Sequence, residues 1–161
     1  LRDRGVHEMS AALKRRFNFE TVRPIRDRRF EAELITRTLD SELGPHRPSF
    51  GPDIMDVLVT AFADLRTGHT ASGTPVKRPE AVMSTAEAVN VAIAASMSAQ
   101  YLGDGKVGAR EVAQQIIGIA LKGSDEDARL MRHYIDNVVR ERARSASHWR
   151  EFFKASEELW N

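Results

Sequence analysis

The chain has 161 residues, 42% of them hydrophobic and 29% charged, with a formal net charge of +1 and no cysteine. That suits one domain of ordinary size, or one domain with a remnant of another, and a core that needs no covalent staple. Without cysteine there is no disulfide framework and no thiolate metal site, and the composition fits a reducing interior such as the cytoplasm. No apolar run approaches the roughly 20 residues a membrane span needs, and the N-terminus has no signal-peptide pattern. The near-neutral total argues against a general pull toward nucleic acid. The positive charge is uneven, however: nine of the first thirty residues are Arg or Lys, against Asp3, Glu8, Glu20 and Asp27.

In chain order, the apolar spacing around Leu13 predicts a short helix running into Arg15 and Arg16. Alternation follows, with Phe17, Phe19 and Thr21 on one side and Asn18, Glu20 and Val22 on the other, which predicts a strand. Paired guanidiniums at such a junction read either as a solvated helix end, favourable at a C-terminus, or as a phosphate-facing fork held between two elements. Pro24 stops further ladder pairing. A helix is expected from about Asp27 to Leu43 with Phe30, Leu34, Ile35, Leu39 and Leu43 on its buried face, ended by Gly44-Pro45. Pro52 opens the next, buried through Ile54, Val57, Leu58, Ala61, Phe62 and Leu65.

Residues 68–83 are irregular, punctuated by Gly68, Gly73, Pro75 and Pro79, with an extended stretch over Thr74 to Lys77. Ser84-Thr85-Ala86-Glu87 reads as a capping box opening an alanine-rich helix that is apolar nearly all round, and so expected at the centre. Further helices are expected from about Ala109 to Leu121, from Ser124 through Val139, and from Ser147 to Trp160. The aromatic residues of the last have the helical spacing of core packing. The sum is a mostly α protein, a bundle of about six helices plus one orphan β-strand. A lone strand cannot satisfy its own backbone, so its neighbours are expected upstream of Leu1. The start at Leu1 instead of Met reads as a cut fragment.

Other chemistry finds little support. His7, His46, His69, His133 and His148 never fall at metal-ligand spacing. Asp125, Glu126 and Asp127 stand at a helix start, where the dipole accounts for them. Gly103-Asp104-Gly105-Lys106 is too short for a phosphate loop, and no serine lies in a nucleophile elbow.

The run Leu1-Arg2-Asp3-Arg4-Gly5-Val6-His7-Glu8-Met9, followed by Ser10-Ala11-Ala12-Leu13-Lys14-Arg15-Arg16-Phe17, resembles the end of an AAA+ ATPase core of the MoxR kind. The resemblance implies that 1–25 is the end of that core, 26–122 its helical lid, and 123–161 a C-terminal extension packed on the lid. In that family the arginine of Leu-x-x-Arg-Phe reaches the nucleotide of the neighbouring subunit; Arg16 matches it, with Arg15 the alternative. ATP and Mg2+ are then implied for the full-length protein and neither for this fragment. A homo-oligomeric ring that remodels a partner protein is implied as well. The runs Tyr134 to Arg142 and Trp149 to Phe153 resemble the tail of a subgroup found beside von Willebrand factor A proteins, which implies such a partner.

The family's second-sensor arginine would fall at the start of the helix after Met83, making Ser84, Thr85 and Glu87 the nucleotide-facing candidates. Here Glu87 or Ala86 takes the arginine's place, and a carboxylate repels a triphosphate. Either Glu87 is a cap partner only, or Lys77 or Arg78 supplies the cation. The competing class is a non-enzymatic helical binding module, with the basic N-terminal segment contacting nucleic acid.

Overall fold

A computed structural model describes residues 12, 15–17, 25–80 and 83–160. Within them six helical rods form a bundle around one hydrophobic core, so the expected fold class stands. Helix α1 (Arg28–Leu43) starts at Asp27, whose Oδ1 accepts from the amides of Arg29 and Phe30. It ends at Gly44, in a positive-φ conformation that L side chains rarely adopt. Ile35 and Leu39 are fully buried as expected, but Phe30 lies half exposed at the first turn.

Helix α2 (Pro52–Thr67) is buried at ten positions, against six for the longer α3 (Thr85–Leu102). The helix at the centre is therefore α2. The end of α3 runs out of the bundle, leaving Met97, Tyr101 and Leu102 exposed. The capping box forms: Ser84 Oγ accepts from Glu87 N at 3.2 Å, and the Glu87 carboxylate accepts from Ser84 N at 2.9 Å.

Two short strands, β1 (Ser49–Phe50) and β2 (Lys106–Val107), pair in parallel, Ser49 opposite Lys106 and Phe50 opposite Val107. Two-residue strands carry no periodicity to read. The strand expected through Val22 lies outside the described residues, Phe17 apart. Between α2 and α3 the loop is tied by Val76 N to Gly68 O and Thr70 N to Thr74 O, 2.8 and 2.9 Å.

Helix α4 (Ala109–Gly123) leads to Ser124, which caps α5 (Asp125–Tyr134) by accepting from Asp127 N. Asp127 does more than favour the dipole: it is buried and accepts from Glu80 N at 2.7 Å, tying the loop to α5. The rod continues through a π turn (Ile135–Val139) into α6 (Arg140–Ala143). Helix α7 (Ser147–Trp160) follows, with Trp149 and Phe152 buried and Phe153, Leu159 and Trp160 packed against the same core. The aromatic tail thus folds back onto the bundle. Among the described residues, no helix is long and apolar enough to cross a membrane.

Candidate functional site

Two buried polar clusters organise the bundle, both built on the last turn of α2. The first gathers where the chain enters. Arg66, in the last turn of α2, places Nη2 2.6 Å from Glu31 Oε1, with Nη1 3.4 Å from Oε2. Its Nε donates to Met83 O at 2.6 Å and Nη1 to Ile25 O at 2.9 Å. Thr85 Oγ1 donates to the same Glu31 oxygen at 2.8 Å. One guanidinium thus joins the segment before α1, α1 itself, the end of α2 and the start of α3. Glu31 is 1% exposed, and a carboxylate so buried survives only when its lone pairs are taken by donors.

All three candidate residues at this helix start have structural partners. Glu87 closes the cap and Thr85 holds Glu31, while Ser84 is the cap itself. Arg66 reaches the start of α3, but its charge is matched by Glu31. A nucleotide phosphate at Glu87 would meet a carboxylate, which repels it. Lys77 and Arg78 are exposed on the loop, Arg78 with its stem against Gly68. Arg15, Arg16 and Phe17 are all exposed, so both guanidiniums are open to solvent. The helix and strand expected to flank them lie outside the described residues, except that Ala12 is helical. No group of three or more metal-ligating side chains occurs among the described residues.

The second cluster joins α2 to the C-terminal rod. Arg142 Nη1 lies 2.6 Å from Asp64 Oδ2, Tyr134 OH donates to the same oxygen at 2.9 Å, and Arg142 Nη1 donates to Tyr134 OH at 3.2 Å. The guanidinium also sits 4.7 Å from the Trp149 ring centroid, a cation–π distance. Burial, then the neighbouring Asp64 charge, holds the Tyr134 phenol well above its ordinary value. Burial draws the Arg142 guanidinium down, but Asp64 and Tyr134 outweigh it and leave the group above its ordinary value.

The π turn makes this meeting possible. Eight residues of regular α-helix would set Arg142 about 80° around the rod from Tyr134. At Ile135 the amide still bonds four residues back, but Arg140 N bonds to Ile135 O, five back. One residue is absorbed there, so seven effective steps return Arg142 to within about 20° of Tyr134. Both side chains then face one carboxylate.

Neither Glu31 nor Asp64 was among the expected site residues. Each had a signal in the sequence: Glu31 lies four residues before Ile35 and eight before Leu39, on the apolar stripe, and Asp64 sits between Phe62 and Leu65 in a nearly continuous buried run. A charge at such a position needs a partner.

The six rods share one core, with the entering segment, α1, α2 and α3 joined at Arg66 and the C-terminal rod and helix packed on the same core. The chain belongs to the family of YehL-like AAA+ ATPase C-terminal domains, whose model matches residues 31–160. It is 39% identical over 163 aligned residues to the uncharacterized protein YehL of Escherichia coli (strain K12). That alignment covers 98% of this chain and 43% of the relative, so the chain spans less than half of the relative's length. No solved structure matches.

Proposed function

We propose that the chain is the lid portion of a MoxR-like AAA+ ATPase, working in the cytoplasm as a homo-oligomeric ring that uses ATP and Mg2+ to remodel a partner protein. The observation that carries this reading is the exposure of Arg15 and Arg16 on a chain that belongs to an AAA+ C-terminal domain family. An exposed guanidinium can donate a planar pair of hydrogen bonds to phosphoryl oxygens of a neighbouring subunit. In this reading Arg16 stabilises charge developing there during transfer, with Arg15 as the alternative. The bound nucleotide supplies the phosphoryl chemistry. This chain contributes the donor and a rigid lid.

The clasp at Arg66 supports the mechanical half of the proposal. Because Ile25 O, Glu31 and Met83 O converge on one guanidinium, and Thr85 donates to the same Glu31 carboxylate, the entering segment and three helices move as one body. Rotation of the lid would therefore be passed to the chain before residue 25 with little slack. With Ser84, Thr85 and Glu87 used structurally, nucleotide is sensed without a second-sensor arginine at that helix start. A von Willebrand factor A protein is the proposed partner, on the likeness of the C-terminal runs alone.

The test is turnover and binding in the full-length protein. Arg16→Ala should lower kcat by on the order of a thousandfold while leaving nucleotide affinity unchanged. Unchanged turnover in both Arg16→Ala and Arg15→Ala would refute the assignment. The reading as a nucleic-acid module predicts instead salt-sensitive binding of DNA or RNA by the isolated chain.

A further inference from the structure

Between the 69–77 loop and the π turn lies a groove of about 360 Å³, separate from the Arg66 clasp. Its apolar lining comes from Pro75, Val76, Leu130 and Val138, and its polar lining includes Lys77, His133, Asn137 and Arg142. Lys77 is exposed and makes no ion pair among the described residues. Arg142 spends only Nη1 on Asp64 and Tyr134, so Nε and Nη2 have no acceptor among the described residues. The His133 ring meets Asn137 through Nδ1, and Nε2 has no partner among the described residues. The one carboxylate in the lining, Glu141, is matched by Arg144 at 2.7 Å. Asp64 and Glu141 therefore balance two arginines, and Lys77 is left as uncompensated positive charge.

We infer that this groove is a binding site for a small amphiphilic anion, a carboxylate or phosphate on an apolar body. The head is held by Lys77 and the unused edge of Arg142, and the body rests on Pro75, Val76, Leu130 and Val138. The π turn is part of the site. By absorbing one residue it turns Arg142 so that a single guanidinium braces on Asp64 and still presents donors to the groove. Such turns recur where a side chain must be re-aimed for function. The walls are fixed in advance: Thr70 and Thr74 close the loop, and Asp127 ties it to α5. A preformed groove spends little on ordering when its ligand arrives. The inference does not depend on the ATPase reading, since it uses neither Arg16 nor a second subunit.

The test is an amide NMR titration of the whole chain with phenylacetate, phenyl phosphate and the neutral phenylacetamide. Either anion should give saturable shifts at Thr74, Lys77, His133 and Asn137, and the tighter of the two identifies the head group. Phenylacetamide should bind about tenfold more weakly than phenylacetate, and Lys77→Ala should weaken the anions by about the same factor. Lys77 is exposed, so its replacement should leave the melting curve unchanged. The inference is overturned by equal affinity for phenylacetamide, by no saturable shift at these residues, or by shifts centred instead on a second cleft, lined by Arg26, Arg28, Thr67 and His69.

Discussion

Replacing Arg66 with methionine removes the guanidinium from the clasp while keeping most of its apolar stem. Among the described residues, Glu31 would keep one hydrogen-bond partner, Thr85, and would lose its matching charge. Met83 O and Ile25 O would lose the donors that Arg66 gives them. Breaking a buried ion pair from one side costs about 3–5 kcal/mol, because the remaining charge is stranded. For a domain of this size that lowers the melting temperature by on the order of 10 °C. The pair's desolvation makes a second variant decisive. Arg66→Met with Glu31→Leu strands no charge, so it should recover about 2 kcal/mol or more of that loss. Urea denaturation of all four members of the cycle, followed by far-ultraviolet circular dichroism, measures the coupling. If Arg66→Met costs under about 1 kcal/mol, or the double variant loses the sum of the two single ones, the clasp does not organise the bundle.

Three further outcomes test other parts of the structure. Glu87→Ala should cost about 1 kcal/mol by urea denaturation, as loss of a cap partner does, and should leave nucleotide affinity of the full-length protein unchanged. The raised Tyr134 pKa means that above about pH 10 the unfolded chain releases a phenolic proton that the folded chain retains. The unfolded state then binds fewer protons, so this stabilisation is complete below that pH and is lost as pH rises; Tyr134→Phe should flatten the alkaline fall. Deleting Asn137, exposed on the π turn, should leave a regular helix with Tyr134 and Arg142 still on one face. Stability within about 1 kcal/mol of the parent is expected, whereas a collapse of the Trp149 environment would refute the register argument.

Much of the bundle is written in local patterns. Asp27, Ser84 and Ser124 each mark a helix start because a short side-chain oxygen placed there finds free amides. The buried face of α2 and the Ile35 and Leu39 positions of α1 follow from apolar spacing, although Phe30 stays half exposed. What escaped has a common cause: it depends on partners far apart in sequence. Arg66 is a routine last-turn cation until Glu31, 35 residues away, is placed beside it. Arg142 and Tyr134 appear mis-phased on a regular helix, and only the absorbed residue at the π turn brings them together. The pairing of Ser49 with Lys106 joins segments too short to show alternation. Apolar composition misplaced the central helix, since small alanines on α3 bury little while α2 brings Phe62, Leu58 and Leu65 inward.

The proposed action of Arg16 on a neighbouring subunit is tested most directly by mixing two inactive full-length proteins. One carries Arg16→Ala; the other carries a substitution that abolishes ATP binding at its own nucleotide site. On the proposed reading each is inactive alone for a different reason, and a mixed ring would pair an intact nucleotide site with an intact arginine from the next subunit. ATP turnover should return on mixing, toward a fraction set by how often such pairs form. Mixed rings that assemble and remain inactive at every ratio would contradict the account.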